Sequence, residues 1–154
     1  MKRNKKKTIV ICSSASFYSK VLEVKKQLEI MGFNVLVPLT VIKMEKNKDF
    51  RVETYKTWFK NPSDYKRKTF LTMHHFNKVV KGDATLILNY EKNGKRGYIG
   101  GAVLNEMAIA FYHKKPIFIL NNIDDSSSFK EEIYGMQPVI INEDFNLINR
   151  FYKN

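Results

Sequence analysis

A chain of 154 residues, 44% of them apolar, is long enough to bury the core of one domain; no apolar run approaches the ~18–20 residues that cross a membrane. Its single cysteine, Cys12, excludes an internal disulfide framework and a cysteine-rich zinc site. The net charge of +12 admits attraction to nucleic acid, anionic lipid or phosphorylated small molecules without choosing among them.

Residues 1–7, MKRNKKK, are expected to form a flexible basic tail. The apolar run after them is too short for a signal peptide, so the expected setting is the cytoplasm. Thr8 to Cys12 is apolar and β-branched and predicts a central strand, in which Cys12 reads as a small core residue. Ser13 and Ser14 end that strand, and Ser16 stands where it can cap the next helix. Phe17, Val21, Val24, Leu28 and Met31 recur at spacings of 4, 3, 4 and 3, one apolar helical stripe, which Gly32 stops. Val35 to Val37 is a second strand, closed by Pro38.

Residues 39–61 are lysine-rich and contain Phe50, Tyr55, Trp58 and Phe59; they predict a short helix or a loop folded over a pocket. Pro62-Ser63-Asp64 opens a helix that runs to about Lys81. Phe70, Met73, Asn77 and Val80 mark one side of it, widened by Phe76 and Val79, and Gly82 ends it. Ala84 to Asn89 is a third strand suited to burial on both faces. A loop with Gly94, Gly97, Gly100 and Gly101 leads into a helix from about Ala102 to His113. Pro116 to Leu120 is a fourth strand, Phe129 to Gly135 a short helix, Val139 to Ile141 a fifth strand, and Asp144 to about Tyr152 a last helix.

Alternating strands and helices with crossovers of this length imply parallel strands and right-handed connections. The prediction is a single α/β domain over residues 8–154: a flavodoxin-like (Rossmann-like) three-layer sandwich whose five-stranded parallel sheet has the order 2-1-3-4-5. In that order the ligand crevice lies beyond the carboxyl ends of strands 1 and 3. The loops there are Ser13–Ser16 and Tyr90–Gly101. Each leads into a helix, whose free N–H groups favour an anion or an oxygen-rich ligand. The serines serve either as caps or as contacts to phosphate or sugar. Gly100-Gly101 permits close backbone approach or a positive φ. No Gly-Lys-Ser/Thr follows it, and the dinucleotide fingerprint would place its glycines after the first strand, where this chain has serines.

Glu106 stands about one turn inside an otherwise apolar helix, among Val103, Leu104, Met107, Ala108 and Ala110. A carboxylate there costs free energy unless it is paired or used. The plainer reading is an acid that balances the helix dipole, which favours the ionised form. His74 and His75 lie about two turns ahead of the third strand, so at least one is placed to face the pocket. No third ligand joins them at a sensible spacing, and no metal is expected.

Gly82-Asp83, the apolar strand to Asn89, Gly100-Gly101, Glu106-Met107, Ala110 and Lys114-Lys115-Pro116 together form a pattern. It resembles the nucleoside 2-deoxyribosyltransferase-like superfamily, which includes deoxyribosyltransferases and nucleoside 5′-monophosphate N-glycosidases. The resemblance covers roughly residues 8 to 142 and is concentrated in 82–121. It implies a flavodoxin-like domain that forms dimers or larger homo-oligomers and uses no metal or organic cofactor. It makes Glu106 the nucleophile at C1′ of the sugar, forming a glycosyl-enzyme ester that water or a second base resolves. Substrate contacts then fall to Cys12, Ser13, Ser14 and Phe17 after the first strand, to Asp83, Asn89 and Tyr90 around the third, and to Gly100, Gly101 and Ala102 at the start of the helix. The chain departs from the pattern at three places. His75 stands where the enzymes carry an aspartate that handles the base or its proton, Ala108 stands where they usually have glycine, and Gly100-Gly101 precedes Glu106 by one residue more than the Gly-Thr/Ser pair common in the transferases.

Three functions are therefore set against one another. The leading one is N-glycosidic hydrolysis or transfer on a nucleoside or nucleotide, with Glu106 as nucleophile and His75 as acid/base. The second is a non-catalytic nucleotide-binding module of the same fold. The third is a basic protein contacting nucleic acid through residues 1–7 and 43–68, where Lys and Arg interleave with Phe50, Tyr55, Trp58, Phe59 and Tyr65. No recognised nucleic-acid-binding signature accompanies that third reading, which is not favoured.

Overall fold

The computed structural model describes residues 5–153. Of the expected tail only Lys5–Lys7 fall among them; residues 1–4 and Asn154 lie outside the described residues. Five strands form one sheet: β1 (Thr8–Ser13), β2 (Asn34–Leu36), β3 (Ala84–Leu88), β4 (Ile117–Ile119) and β5 (Val139–Ile140). Every pairing is parallel and the order is β2-β1-β3-β4-β5, the flavodoxin-like arrangement the alternation predicts. The helices around it are α1 (Tyr18–Ile30), α2 (Leu39–Asn47), α3 (Val52–Tyr55), α4 (Tyr65–Lys81), α5 (Gly101–Tyr112), α6 (Lys130–Gly135) and α7 (Asn146–Lys153). None is long and apolar enough to cross a membrane.

The two-residue period of β1 divides the core. Ile9 and Ile11 point to one layer, with Val21, Val24 and Leu28 of α1 and Ile148 of α7. Val10 and Cys12 point to the other, with Val79 of α4 and Val103, Met107 and Ala110 of α5. Fully burying each large apolar side chain contributes ~1.5–3 kcal/mol. That is why the two central strands β1 and β3 are apolar nearly throughout. The same alternation carries Cys12 to the α4–α5 side, a placement that matters below.

The α1 stripe lies as the spacing predicts, with Val21, Val24 and Leu28 buried. At its end Gly32 has φ +97°, and its N–H and that of Phe33 reach back to the carbonyls of Glu29 and Leu28 at 3.0 and 3.1 Å. Ser16 does not cap this helix. A 3₁₀ turn over Ala15–Phe17 precedes it, closed by the Phe17 N–H donating to the Ser14 carbonyl at 2.9 Å, and Phe17 itself holds the N-cap position.

The buried face of α4 differs from the predicted one. Phe70, Met73, Asn77 and Val80 are exposed, and the helix buries His75 and Val79 instead. The inward positions include Lys68, Thr72 and His75, which face a cavity rather than a flat apolar sheet. A search for apolar periodicity therefore finds the outer side. The segment 39–61 resolves into α2, α3 and the turns between α3 and α4; its Thr40, Val41, Met44, Tyr55 and Trp58 are buried.

Candidate active site

A cavity of about 360 Å³ opens beyond the carboxyl ends of β1 and β3, a volume within the range of small-molecule sites. Its floor holds Ser13 and Ser14 from the end of β1, His75 from α4 and Glu106 from α5. Gly100, Gly101 and Ala102, at the start of α5, form one wall. Leu39 and Thr40 of α2, with Tyr55 and Trp58, cover it. The two aromatics are thus buried over the cavity, which leaves Phe59 and Tyr65 as the exposed rings of the basic segment suited to stacking on a base.

Glu106 and His75 converge on this cavity. Oε1 of Glu106 is 4.0 Å from Nε2 of His75, and the two side chains are only 15% and 5% exposed. Sγ of Cys12 lies 3.4 Å from the same Nε2. Cys12 comes from β1 directly beneath the floor, so a thiol, an imidazole and a carboxylate from three elements gather with their ligand atoms within 4.8 Å of one another. The sequence spacing shows no third ligand beside the histidines; the fold supplies one from 63 residues away. Oε2 of Glu106 and Nδ1 of His75 are buried without a hydrogen-bond partner.

Burial sets the protonation of this group. It pushes the Glu106 carboxyl up to about 7, against the smaller opposing pulls of the Cys12 side chain and the Lys68 charge. The helix dipole does not rescue the anion, because Glu106 is the sixth residue of α5, and the dipole effect fades beyond the first turn. Burial also draws His75 down to about 4, with the positive charge of Lys78 adding to it. Burial, then the charge of Glu106, hold the Cys12 thiol well above its ordinary range. At neutral pH the cluster is a neutral imidazole, a neutral thiol and a carboxyl near half-ionisation. The His75–Glu106 contact is accordingly not an ion pair.

Four further side chains at the cavity escape a reading of the sequence. Tyr18, the first residue of α1, lines it, and burial followed by the nearby Glu106 charge raises its phenol, keeping it a proton donor. Lys56, Lys68 and Lys92 line it from three separate segments. Burial, then repulsion from Lys68 and Lys92, depresses Lys56. These cations crowd one another where an anion would relieve them. One signal was available: Lys68, Thr72 and His75 recur at helical spacing, a polar stripe aimed inward.

The remaining expected contacts divide. Ser13, Ser14, Gly100, Gly101 and Ala102 line the cavity. Ser14 makes no capping hydrogen bond, and Ser13 Oγ donates to the Ser14 carbonyl at 3.1 Å, so helix capping does not account for either. Neither glycine of the pair has a positive φ. The other four lie off the cavity. Asp83 is at the amino end of β3, where Oδ2 accepts the Thr8 N–H at 2.7 Å. Asn89 is buried and ties two loops together: it donates to the Asn121 carbonyl at 2.7 Å and accepts the Asn121 N–H at 2.9 Å. Phe17 packs edge-on against Tyr90 and Tyr98, with centroids 5.4 and 6.5 Å apart. Tyr90 in turn carries Lys20 over its ring at 4.1 Å. These are supports for the cavity wall through Tyr98, which does line it. Ala108 is on the exposed side of α5 and does not line the cavity, so its methyl crowds nothing there.

The chain matches no protein-family model, and a search of curated proteins finds no match.

Proposed function

We propose that this protein cleaves or transfers the N-glycosidic bond of a nucleoside or nucleotide, with Glu106 as the nucleophile. The observation that carries the reading is a buried carboxylate with one unpartnered oxygen at the floor of a ligand-sized cavity, at the switch point of the sheet. The resemblance to the nucleoside 2-deoxyribosyltransferase-like superfamily adds the reaction. A Glu106 oxygen bonds to C1′ as the C1′–N bond breaks, and the base leaves with that electron pair and takes up a proton. Water or a second base then attacks C1′ and frees the carboxylate. No cofactor enters these steps.

Only the ionised fraction of Glu106 is nucleophilic, so its native value of about 7 makes the rate rise with pH through neutrality. Tyr18 supplies a donor beside the carboxylate. His75, neutral and weakly basic, serves better to hold Glu106 than to shuttle protons. Lys56, Lys68 and Lys92 favour a phosphorylated substrate. The exposed Phe70 and Met73 of α4 and Phe111 and Tyr112 of α5 support a homo-oligomer, which light scattering after gel filtration measures.

The test is incubation with a panel of nucleosides and 5′-monophosphates, reading free base by chromatography. Release that persists at the wild-type rate in Glu106→Gln would falsify the mechanism. The low basicity of His75 favours a second reading, binding without turnover. Ligand-induced thermal stabilisation with no product is its signature.

A further inference from the structure

The cluster beneath the cavity supports an inference that does not depend on glycosidic chemistry. In a nucleophile relay the thiol and the carboxylate engage opposite nitrogens of the imidazole. Here Sγ of Cys12 and Oε1 of Glu106 both approach Nε2, at 3.4 and 4.0 Å, and Nδ1 makes no hydrogen bond. Three unlike donor atoms, held by β1, α4 and α5, thus converge on one point. Tetrahedral zinc, with bonds of roughly 2.3 Å to sulfur and roughly 2.0–2.1 Å to nitrogen or oxygen, sets a sulfur–nitrogen edge of roughly 3.5 Å and a nitrogen–oxygen edge of roughly 3.4 Å. The 3.4 Å separation of Cys12 and His75 meets the first edge. The second edge, at 4.0 Å, and the sulfur–oxygen edge, at up to 4.8 Å, both close with a movement of Glu106 of roughly 1 Å, within reach of a side chain next to an open cavity.

We propose that Cys12, His75 and Glu106 form a binding site for a zinc-class divalent ion, with three protein ligands and a fourth position open to the cavity. Thiolate with imidazole selects such an ion over magnesium or calcium, which take oxygen ligands. The thiolate and carboxylate together neutralise its charge. Lys68, on the cavity wall, opposes the ion and tempers its affinity. A carboxylate bound to the ion is not free to attack C1′. Where the glycosidic reading holds, zinc loading and turnover therefore exclude each other.

The experiment uses untagged protein stripped with a chelator and titrated with Co²⁺. The expected result is one equivalent of cobalt bound, a sulfur-to-cobalt charge-transfer band, intense visible bands of tetrahedral type, and displacement by one equivalent of Zn²⁺. Cys12→Ser removes the charge-transfer band. Each of Cys12→Ser, His75→Gln and Glu106→Gln weakens zinc binding by more than about 100-fold, since even the partners behind a ligand are worth 10–100-fold. His113→Asn, at an exposed histidine, leaves binding unchanged. Should Cys12→Ser fail to fold, Glu106→Gln carries the comparison, because it removes a buried charge. The absence of the charge-transfer band, or zinc affinity undiminished in the folded ligand variants, overturns the site. Zinc binding by a protein that turns over no nucleoside leaves the site standing and counts against the proposed function. Turnover that continues with stoichiometric zinc bound overturns the exclusion between the two.

Discussion

Two carboxylates at opposite ends of the same sheet are treated in opposite ways. Asp83 sits at the amino end of β3, 40% exposed, accepting the Thr8 N–H at 2.7 Å and lying 3.7 Å from Lys7. Both its hydrogen-bonding capacity and its charge are met, and it fastens β1 to β3. Glu106 sits beyond the carboxyl ends, 15% exposed, with one oxygen unpartnered and its carboxyl pushed up to about 7 by burial. Buried polar groups in folded proteins are nearly always satisfied, so unmet capacity beside a cavity is capacity held for something else. Both acids belong to the pattern that suggests the function, and only the structure separates the fastening from the site.

The sharpest way to break that contrast is to remove each charge. Glu106→Gln is expected to lower the rate of base release by at least about 10³-fold, the scale on which removal of a nucleophile acts. Asp83→Asn is expected to keep the rate within about threefold and to cost about 1 kcal/mol of stability, the worth of one partly exposed hydrogen bond. Steady-state kinetics and denaturant melts of the two variants read both. Equal losses of activity would erase the distinction.

The next effect is on stability against pH. The native value of Glu106, about 7, lies above its ordinary 4.5, so the native state holds the proton more tightly than the unfolded chain. Its contribution is complete below about 4.5 and is lost as pH rises through 7. For His75 the native value of about 4 lies below 6.5, so its contribution is complete above about 6.5 and is lost as pH falls through 4. Between about 4.5 and 6.5 the two slopes oppose and nearly cancel. Each single variant uncovers the other slope. Glu106→Gln gains about 3 kcal/mol from low to high pH across that window, and His75→Gln loses about as much, while the wild type stays flat. Urea melts at pH 4.5, 5.5 and 6.5 measure it. A wild-type slope equal to that of either variant would show that burial does not govern the pair.

What the sequence discloses of this arrangement follows from what local patterns encode. Strands β1 and β3 are legible because burial on both faces demands apolar residues throughout, and α1 because it packs on a flat apolar surface. Helix α4 misleads because its inward face borders a cavity: Lys68, Thr72 and His75 point in, and the apolar Phe70 and Met73 point out. Glu106 stands out for being alone among apolar neighbours. Cys12 does not, since a buried cysteine in a strand looks like any small core residue, and its nearness to His75 is a consequence of sheet order rather than of spacing. Asp83, Asn89, Phe17 and Tyr90 are near the site in the chain but serve the strands and loops around it.

The cations and the double glycine sharpen the site side of the comparison by smaller margins. Lys56→Ala and Lys68→Ala are each expected to raise KM for a 5′-monophosphate about tenfold, the loss of one charge-assisted contact, and to leave KM for the unphosphorylated nucleoside unchanged. A parallel rise for both substrates would make the lysines general electrostatics rather than a phosphate contact.

Gly101 gives the smallest signal. It opens α5, its φ is not positive, and an added Cβ meets nothing within 4 Å, although the residue lines the cavity. Gly97 differs in each respect: its φ is +59°, and a Cβ would overlap the Asn122 carbonyl. Gly97→Ala is therefore expected to lose stability by more than about 1 kcal/mol through strain. Gly101→Ala should hold or gain a few tenths of a kcal/mol, as alanine is the better helix former. Any functional cost of Gly101→Ala then comes from what enters the cavity, and a several-fold rise in KM at unchanged melting temperature is the expected reading. Unchanged KM for every substrate would remove the double glycine from the site and leave Gly100 and Gly101 as the mere opening of a helix.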